Sequence, residues 1–299
     1  MTAAAVPAGF EDRVKRDEPM SRHTSWHVGG PADLWFVPRN VEDLSAFLRA
    51  LPGGVPVTWV GLGSNLLVRD AGIRGAVICP HGALSGLTRV DETRVHVQAG
   101  VPCARLGRQA VKWGLGPAEF FAGIPGTIGG ALAMNAGAWG GETWPRVLTV
   151  ETIDREGIVR RRAASEYRVG YRSVVPPVPG EWFIGARLGF ELRPGASTDS
   201  IRQLLERRLA SQPIGEWSCG SVFTNPPGDH AARLIEAAGL KGYRLGDAAV
   251  STKHANFIVN KGHASAADLE AVIRHVQETV ERVHGVRLHP EVRVVGEPA

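Results

Sequence analysis

Ala122-Gly123-Ile124-Pro125-Gly126-Thr127-Ile128-Gly129-Gly130-Ala131-Leu132-Ala133-Met134-Asn135-Ala136-Gly137-Ala138 is the stretch on which the reading of this chain turns. Gly123, Gly126 and Gly129 fall three apart, and small side chains dominate the whole segment. Main chain this bare lets a flat aromatic ring lie directly on the backbone. Thr127 is placed to cap a short helix whose amides face an anion. Tight helix–strand packing accounts for the composition equally well.

A second glycine loop, Gly61-Leu62-Gly63-Ser64-Asn65-Leu66, follows an apolar run at residues 55–60 that reads as a strand. It is not a dinucleotide fingerprint: the sixth position is Leu66, and the next residues read as strand instead of helix. No GxxxxGK[ST] motif occurs either. Small residues after a buried strand suit a backbone nest for a pyrophosphate. Taken alone, the loop reads as an ordinary turn.

Composition sets the bounds. A single core rarely grows past ~250–300 residues, so a chain of 299 residues is expected to form two or three sub-structures. Hydrophobic residues at 43% and charged residues at 21% describe an ordinary globular protein. The 37 glycines are in excess and ask for a backbone explanation. A net charge of +4 with no dense Lys/Arg run argues against a nucleic-acid partner. Cys79, Cys103 and Cys219 are too few and too widely spaced for a disulfide framework or a metal site, and the first two read as buried thiols. No secretory signal and no long apolar span is visible, so the expected location is the cytoplasm, away from any membrane.

Along the chain, residues 1–20 read as a loose, Ala-, Pro- and charge-rich tail. Residues 21–82 form a small α/β unit, with Asn40 capping a helix that carries Leu44, Phe47, Leu48 and Leu51. Residues 83–195 form a second unit. It has a helix starting at Pro102, a hairpin turn at Asp154-Arg155-Glu156-Gly157, and a half-buried strand in which Ile184, Ala186, Leu188 and Phe190 share one face. Residues 196–299 form a third, with helices around Ile201–Leu209, at 229–238, and from Ser265 with Asp268 to Gly285. The last helix is expected to bury Leu269, Val272, Ile273, Val276, Val280 and Val283.

The pairing of GLGSNLLV with EFFAGIPGTIGGALAMNAGA closely resembles the flavin domain of the UDP-N-acetylenolpyruvoylglucosamine reductase family. Three further stretches fit the same family: Gly170-Tyr171-Arg172-Ser173, Cys219-Gly220-Ser221-Val222-Phe223-Thr224-Asn225-Pro226, and Leu288-His289-Pro290-Glu291-Val292-Arg293. The resemblance implies an α+β protein. A vanillyl-alcohol-oxidase-like FAD-binding fold of two α/β subdomains (21–82 and 83–195) would be followed by a C-terminal α+β substrate domain (196–299). It implies non-covalent FAD held by Gly61, Gly63, Ser64, Asn65 and Leu66 on one side. Gly123, Ile124, Gly126, Thr127, Gly129, Gly130, Asn135, Ala136 and Gly137 would hold it on the other. It implies NADPH as hydride donor, a UDP-sugar substrate and a monomer, with no metal.

The resemblance also assigns Arg172, Ser221 and Glu291 as catalytic, and Tyr171 and Asn225 as substrate contacts. The family's substrate is an enol ether conjugated to a carboxylate. Hydride addition spreads negative charge onto that carboxylate, which Arg172 suits with its planar fork and a protonated Glu291 could meet by donation. Ser221 would then protonate the second carbon. Two departures mark the chain. Thr224 stands where the family often carries lysine, and no tyrosine-bearing insertion follows Arg172, as in the family's shorter variety. Another FAD oxidoreductase of the same fold class would explain the glycine loops but not the trio. A non-catalytic nucleotide-sugar-binding relative would not need the trio at all.

Overall fold

The computed structural model describes residues 5–298. Contacts group the chain into two compact units, each built from separate stretches. Of the described residues, the first contains 5–16, then Leu34–Leu62 and Gly75–Glu206. The second contains Asp17–Asp33, Gly63–Arg74 and residues 207–298. These units cut across the consecutive blocks 21–82, 83–195 and 196–299. One reason is Trp26, which is fully buried in the second unit's core. Its Nε1 donates to the Ile258 carbonyl (2.8 Å), and Asn260 Nδ2 donates to the Trp26 carbonyl (2.9 Å).

In the first unit, helix α1 (Val41–Ala50) begins as its sequence predicts, with Asn40 Oδ1 accepting the Asp43 N–H at 2.8 Å. Its buried Phe47 stacks on Phe36 with ring centroids 3.9 Å apart. Phe10 packs edge-on against both rings, at 5.6 and 5.2 Å. The loose tail expected over residues 1–20 is thereby corrected. Phe10, Val14 and Met20 are buried, and Lys15–Pro19 is a strand. Three apolar side chains outweigh the polar residues around them once a core is within reach. Residues 1–4 lie outside the described part.

A five-stranded antiparallel sheet carries most of this unit, in the order Val159–Ala163, Val147–Ile153, Trp182–Gly189, Arg94–Gln98, Leu87–Arg89. Ile184, Ala186 and Leu188 face its core as the alternation requires. The Asp154–Gly157 turn closes a hairpin, with Asp154 Oδ1 accepting from Ile158 N–H at 2.8 Å. Helix α2 (Cys103–Lys112) starts after Pro102 and buries Leu106, Ala110 and Val111. Helix α3 (Ile128–Met134) lies in the glycine-rich segment and ends at Asn135, which adopts the left-handed conformation. Helix α4 (Thr198–Ser211) leads out of the unit and buries only Ile201.

The second unit is built on the antiparallel sheet Trp217–Ser218, Ile258–Asn260, Ala248–Val250, Arg244–Leu245. Helices α5 (Ala231–Ala237) and α6 (Ala266–His284) belong to the same core, through Leu234 and Ile235 of one and Leu269, Val272, Val276 and Val280 of the other. Ser265 and Asp268 form the expected capping box, and the Asp70 carboxylate accepts two further N–H groups, from Ala266 and Ala267, at 3.0 Å each. Val283, expected on the buried face, is 52% exposed, two residues before the Gly285 cap. Strand Leu66–Val68 runs parallel to Arg293–Val295, so the chain's last strand pairs with the strand that follows the first glycine loop.

The Asp43 carboxyl is lowered to about 2, chiefly by the hydrogen bond from Arg13, with Arg39 adding and burial opposing. The stability it contributes is complete above the unfolded value of ~3.9 and is lost as pH falls through the folded value. Asp43→Asn should therefore lower the urea midpoint at neutral pH, and the gap to wild type should close between about pH 4 and 2. A gap that does not change with pH would show that the Arg13–Asp43 pair contributes nothing.

Candidate active site

The first glycine loop is bare because nothing else fits. A Cβ on Gly61 would lie 2.5 Å from Thr127 Oγ1. Gly63 has φ +61°, and a Cβ there would lie 1.9 Å from the His23 carbonyl oxygen. Among the described residues, the amides of Gly61, Leu62, Gly63 and Ser64 meet no acceptor. Asn65 is engaged with the chain: its carbonyl accepts from Arg293 N–H (3.0 Å), and its Nδ2 donates to the Glu291 carbonyl (3.0 Å). Leu66 opens the strand already described.

The second segment divides residue by residue between the two readings its composition left open. Packing explains Gly123, whose Cβ would meet the Trp139 ring at 2.9 Å, and Gly137, where it would meet the Gly141 carbonyl at 2.2 Å. It also explains Gly129, set against Ala99 at 3.1 Å. Gly130 is different: it is exposed, and a Cβ would meet only Thr127 Oγ1, at 3.9 Å. Ile124 and Ala136 are buried, and the Gly126 carbonyl accepts from Cys103 N–H.

Thr127 occupies the N-cap position of α3, but its side chain makes no capping bond. The amides of Ile128 and Gly129 donate to the carbonyls of Val101 and Ala99, both at 2.9 Å. The expectation of a helix N-terminus with its amides open to an anion is corrected accordingly. A neighbouring loop supplies acceptors to the first turn before any ligand could.

Asn135, expected to touch the cofactor, spends its side chain on the protein. It is 1% exposed, and its Nδ2 donates to Glu142 Oε2 (3.0 Å) and to the Gly170 carbonyl (3.1 Å). Its Oδ1 accepts from Trp144 N–H at 3.0 Å. These bonds hold the hairpin Arg168–Gly170/Ser173–Val175, at whose tip sit Tyr171 and Arg172. Arg172 has φ +53°, a conformation a side chain adopts only when its surroundings over-determine it. Its guanidinium donates to the carbonyls of Asn135 (3.1 Å) and Gly137 (3.2 Å), and lies 3.9 Å from Glu142 Oε1. It also sits 5.0 Å from the centroid of the exposed Tyr171 ring. Glu142, which the sequence reading passed over, thus orients both Asn135 and Arg172. An acid in a two-residue strand has no sequence signature.

The second unit brings Ser221 and Glu291 onto one piece of backbone. Gly220 turns the chain with φ +82°, and Ser221 follows, half-buried. The carbonyl of the next residue, Val222, accepts from Glu291 N–H at 2.7 Å and from Val292 N–H at 3.3 Å. Thr224 N–H donates to the His289 carbonyl, and Phe223 pairs with Pro290. The Cys219 thiol is pushed well above its usual range by burial and by the charge of Glu291. Burial likewise pushes Cys79 up to about 11. All three cysteines are buried. Asn225 is exposed, but its Oδ1 accepts from Ala231 N–H (3.1 Å) and so serves the start of α5. Arg172 belongs to the first unit.

A sequence profile described as an FAD binding domain matches residues 32–162. This defines the class, an FAD-dependent oxidoreductase, and the molecule fits the group: a run of amides without acceptors at residues 61–64 and a bare, exposed Gly130 are what a pyrophosphate and a flat ring system require. A second profile, described as the C-terminal domain of UDP-N-acetylenolpyruvoylglucosamine reductase, matches residues 212–295. Curated relatives of that name are 59% identical over 283 residues in Alkalilimnicola ehrlichii, covering 94% of both chains, and 54% identical in Methylococcus capsulatus, covering 99% of this chain and 97% of the relative. The crystal structure of the reductase from Thermus caldophilus superposes with a TM-score of 0.77 at 35% identity, covering 94% of this chain and 98% of the other. The chain belongs to the UDP-N-acetylenolpyruvoylglucosamine reductase family.

If the loop at residues 61–64 cradles the pyrophosphate, Gly63→Ala must move it, because its Cβ and the His23 carbonyl cannot both stay in place. Titration of the apoprotein with FAD should then show affinity reduced by roughly tenfold or more, from strain of ~1–3 kcal/mol. Unchanged affinity would take the loop out of the cofactor site.

Proposed function

We propose that this chain reduces the enolpyruvyl ether of UDP-N-acetylenolpyruvoylglucosamine to UDP-N-acetylmuramate, with NADPH as hydride donor, in the synthesis of peptidoglycan precursors. One observation carries the reading beyond family membership: the Val222 carbonyl ties the segment bearing Ser221 to the segment bearing Glu291. The bound FAD supplies the hydride-transfer chemistry between NADPH and the unsaturated ether. Gly61, Gly63, Ser64 and Leu66, with the bare Gly130, would hold it. Asn135 acts behind them by fixing the Arg172 hairpin.

The chain's own groups manage charge and protons. Addition of hydride to the terminal vinyl carbon drives negative charge toward the substrate carboxylate. Arg172 meets that charge with a guanidinium already oriented by two carbonyls and Glu142, so little reorganisation is needed when the charge appears. Glu291, in its protonated form, donates to the same developing enolate. Ser221 Oγ gives its proton to the second carbon, which completes the addition. Tyr171, exposed beside Arg172, and Asn225, through the Nδ2 end of its amide, contact the substrate. The reading carries with it a cytoplasmic monomer acting on a water-soluble nucleotide sugar. Among the described residues, no helix is long and apolar enough to cross a membrane.

Ser221→Ala should leave NADPH-driven flavin reduction intact and slow the reaction of reduced enzyme with the enolpyruvyl sugar nucleotide by ~10²–10⁴. Anaerobic stopped-flow measurement of the two half-reactions tests this, and an equal loss in both would remove Ser221 as the proton donor. Arg172→Lys should lower turnover by roughly 10² because a point charge cannot replace the planar fork. Steady-state turnover equal to wild type would exclude Arg172 from the mechanism.

A further inference from the structure

The geometry points to Asn256 as the positioning residue for proton donation by Ser221. Asn256 is 4% exposed and stands in the turn before strand Ile258–Asn260, far from Ser221 in sequence. Its side chain grips both polar groups of one peptide residue: Oδ1 accepts from Phe223 N–H (3.0 Å), and Nδ2 donates to the Phe223 carbonyl (2.8 Å). Its own carbonyl accepts from Val222 N–H at 2.9 Å, and its N–H donates to His254 Nδ1 at 3.3 Å. The amide thus adds a ladder-like rung to a segment that otherwise pairs through Phe223 with Pro290.

The consequence for Ser221 is direct. Its C-terminal neighbour is held at both ends: Val222 N–H goes to Asn256, and the Val222 carbonyl takes the N–H groups of Glu291 and Val292. The next residue, Phe223, is held by the Asn256 side chain, and its ring is buried at 1% exposure. Because Ser221 follows Gly220 at φ +82°, the flexible side of the serine is N-terminal and the clamped side is C-terminal. The clamp therefore decides where Oγ points, and Asn256 also fixes the distance between the Ser221 and Glu291 segments through Val222. Only an asparagine of this length offers a coplanar donor and acceptor at that reach. Aspartate keeps the acceptor and loses the donor; alanine loses both.

This inference rests on the reading of Ser221 as proton donor, so the test carries its own control. Holoenzymes of wild type, Asn256→Ala, Asn256→Asp and Ser221→Ala are compared in both half-reactions by anaerobic stopped flow. The expected result is that both Asn256 variants bind FAD and are reduced by NADPH at the wild-type limiting rate. Reoxidation by the enolpyruvyl sugar nucleotide should be slower by roughly 10- to 100-fold, the cost of a misplaced reacting group. The loss should fall in the limiting rate and not in the substrate concentration giving half that rate. If Asn256→Ala does not fold, the isosteric Asn256→Asp decides the matter alone. Equal slowing of both half-reactions, or slowing of neither, while Ser221→Ala slows only the second, would overturn the positioning role and leave Ser221 in place. Unchanged reoxidation in Ser221→Ala would overturn both.

Discussion

Close approach of main chain to main chain is the constraint on which the site depends. At Gly63 the backbone passes so near the His23 carbonyl that a single methyl group could not be accommodated. The same loop turns away from every acceptor among the described residues over the amides of residues 61–64. Packing on one side leaves donors on the other that water or a bound ligand can receive. The loop then runs into a strand that pairs with the chain's last one. Within the second unit, the stretch from Gly63 to Val68 is tied to the Glu291 segment, joined again by Asn65 Nδ2 at the Glu291 carbonyl.

Buried asparagines recur beside the segments that carry the candidate residues, where they add bonds to the local backbone pairing. Asn135 supplies bonds to Gly170, Glu142 and Trp144, and so seats the hairpin that bears Arg172. Asn260 holds the Trp26 carbonyl and also accepts from Gly262 and Ala264. Each has the donor and acceptor of a peptide group on a short stem, so it can satisfy backbone that turns away from regular structure. A hydrocarbon side chain of the same size would leave several buried groups unpaired, each costing about 1–3 kcal/mol.

Several parts of the fold were legible in residue order. The Asn40 and Ser265 caps, the Asp154–Gly157 hairpin, the alternation through Ile184, Ala186 and Leu188, and the arrest of α6 at Gly285 rest on contacts within a few residues or on a strict period. The signals that misled were short-range ones answered by distant partners. Thr127 has the chemistry of a cap, yet Val101 and Ala99 take the amides it would have faced. The first twenty residues have the composition of a tail, yet Phe10 finds Phe36 and Phe47. Val283 has the right spacing for the core, but at the last turn of the helix it is exposed.

By itself, the sequence determined the cofactor class, the family, and the identity of Arg172, Ser221 and Glu291 as candidates, because motifs record which residue types a chemistry demands. Tertiary structure alone decided which glycines packing accounts for and which, like Gly130, it leaves bare. It also decided that Asp17–Asp33 joins the C-terminal unit, and that Val222 links Ser221 to Glu291. Those outcomes depend on which distant carbonyl or side chain arrives at a given backbone group. No local pattern encodes that arrival, since it is settled only when the whole core closes.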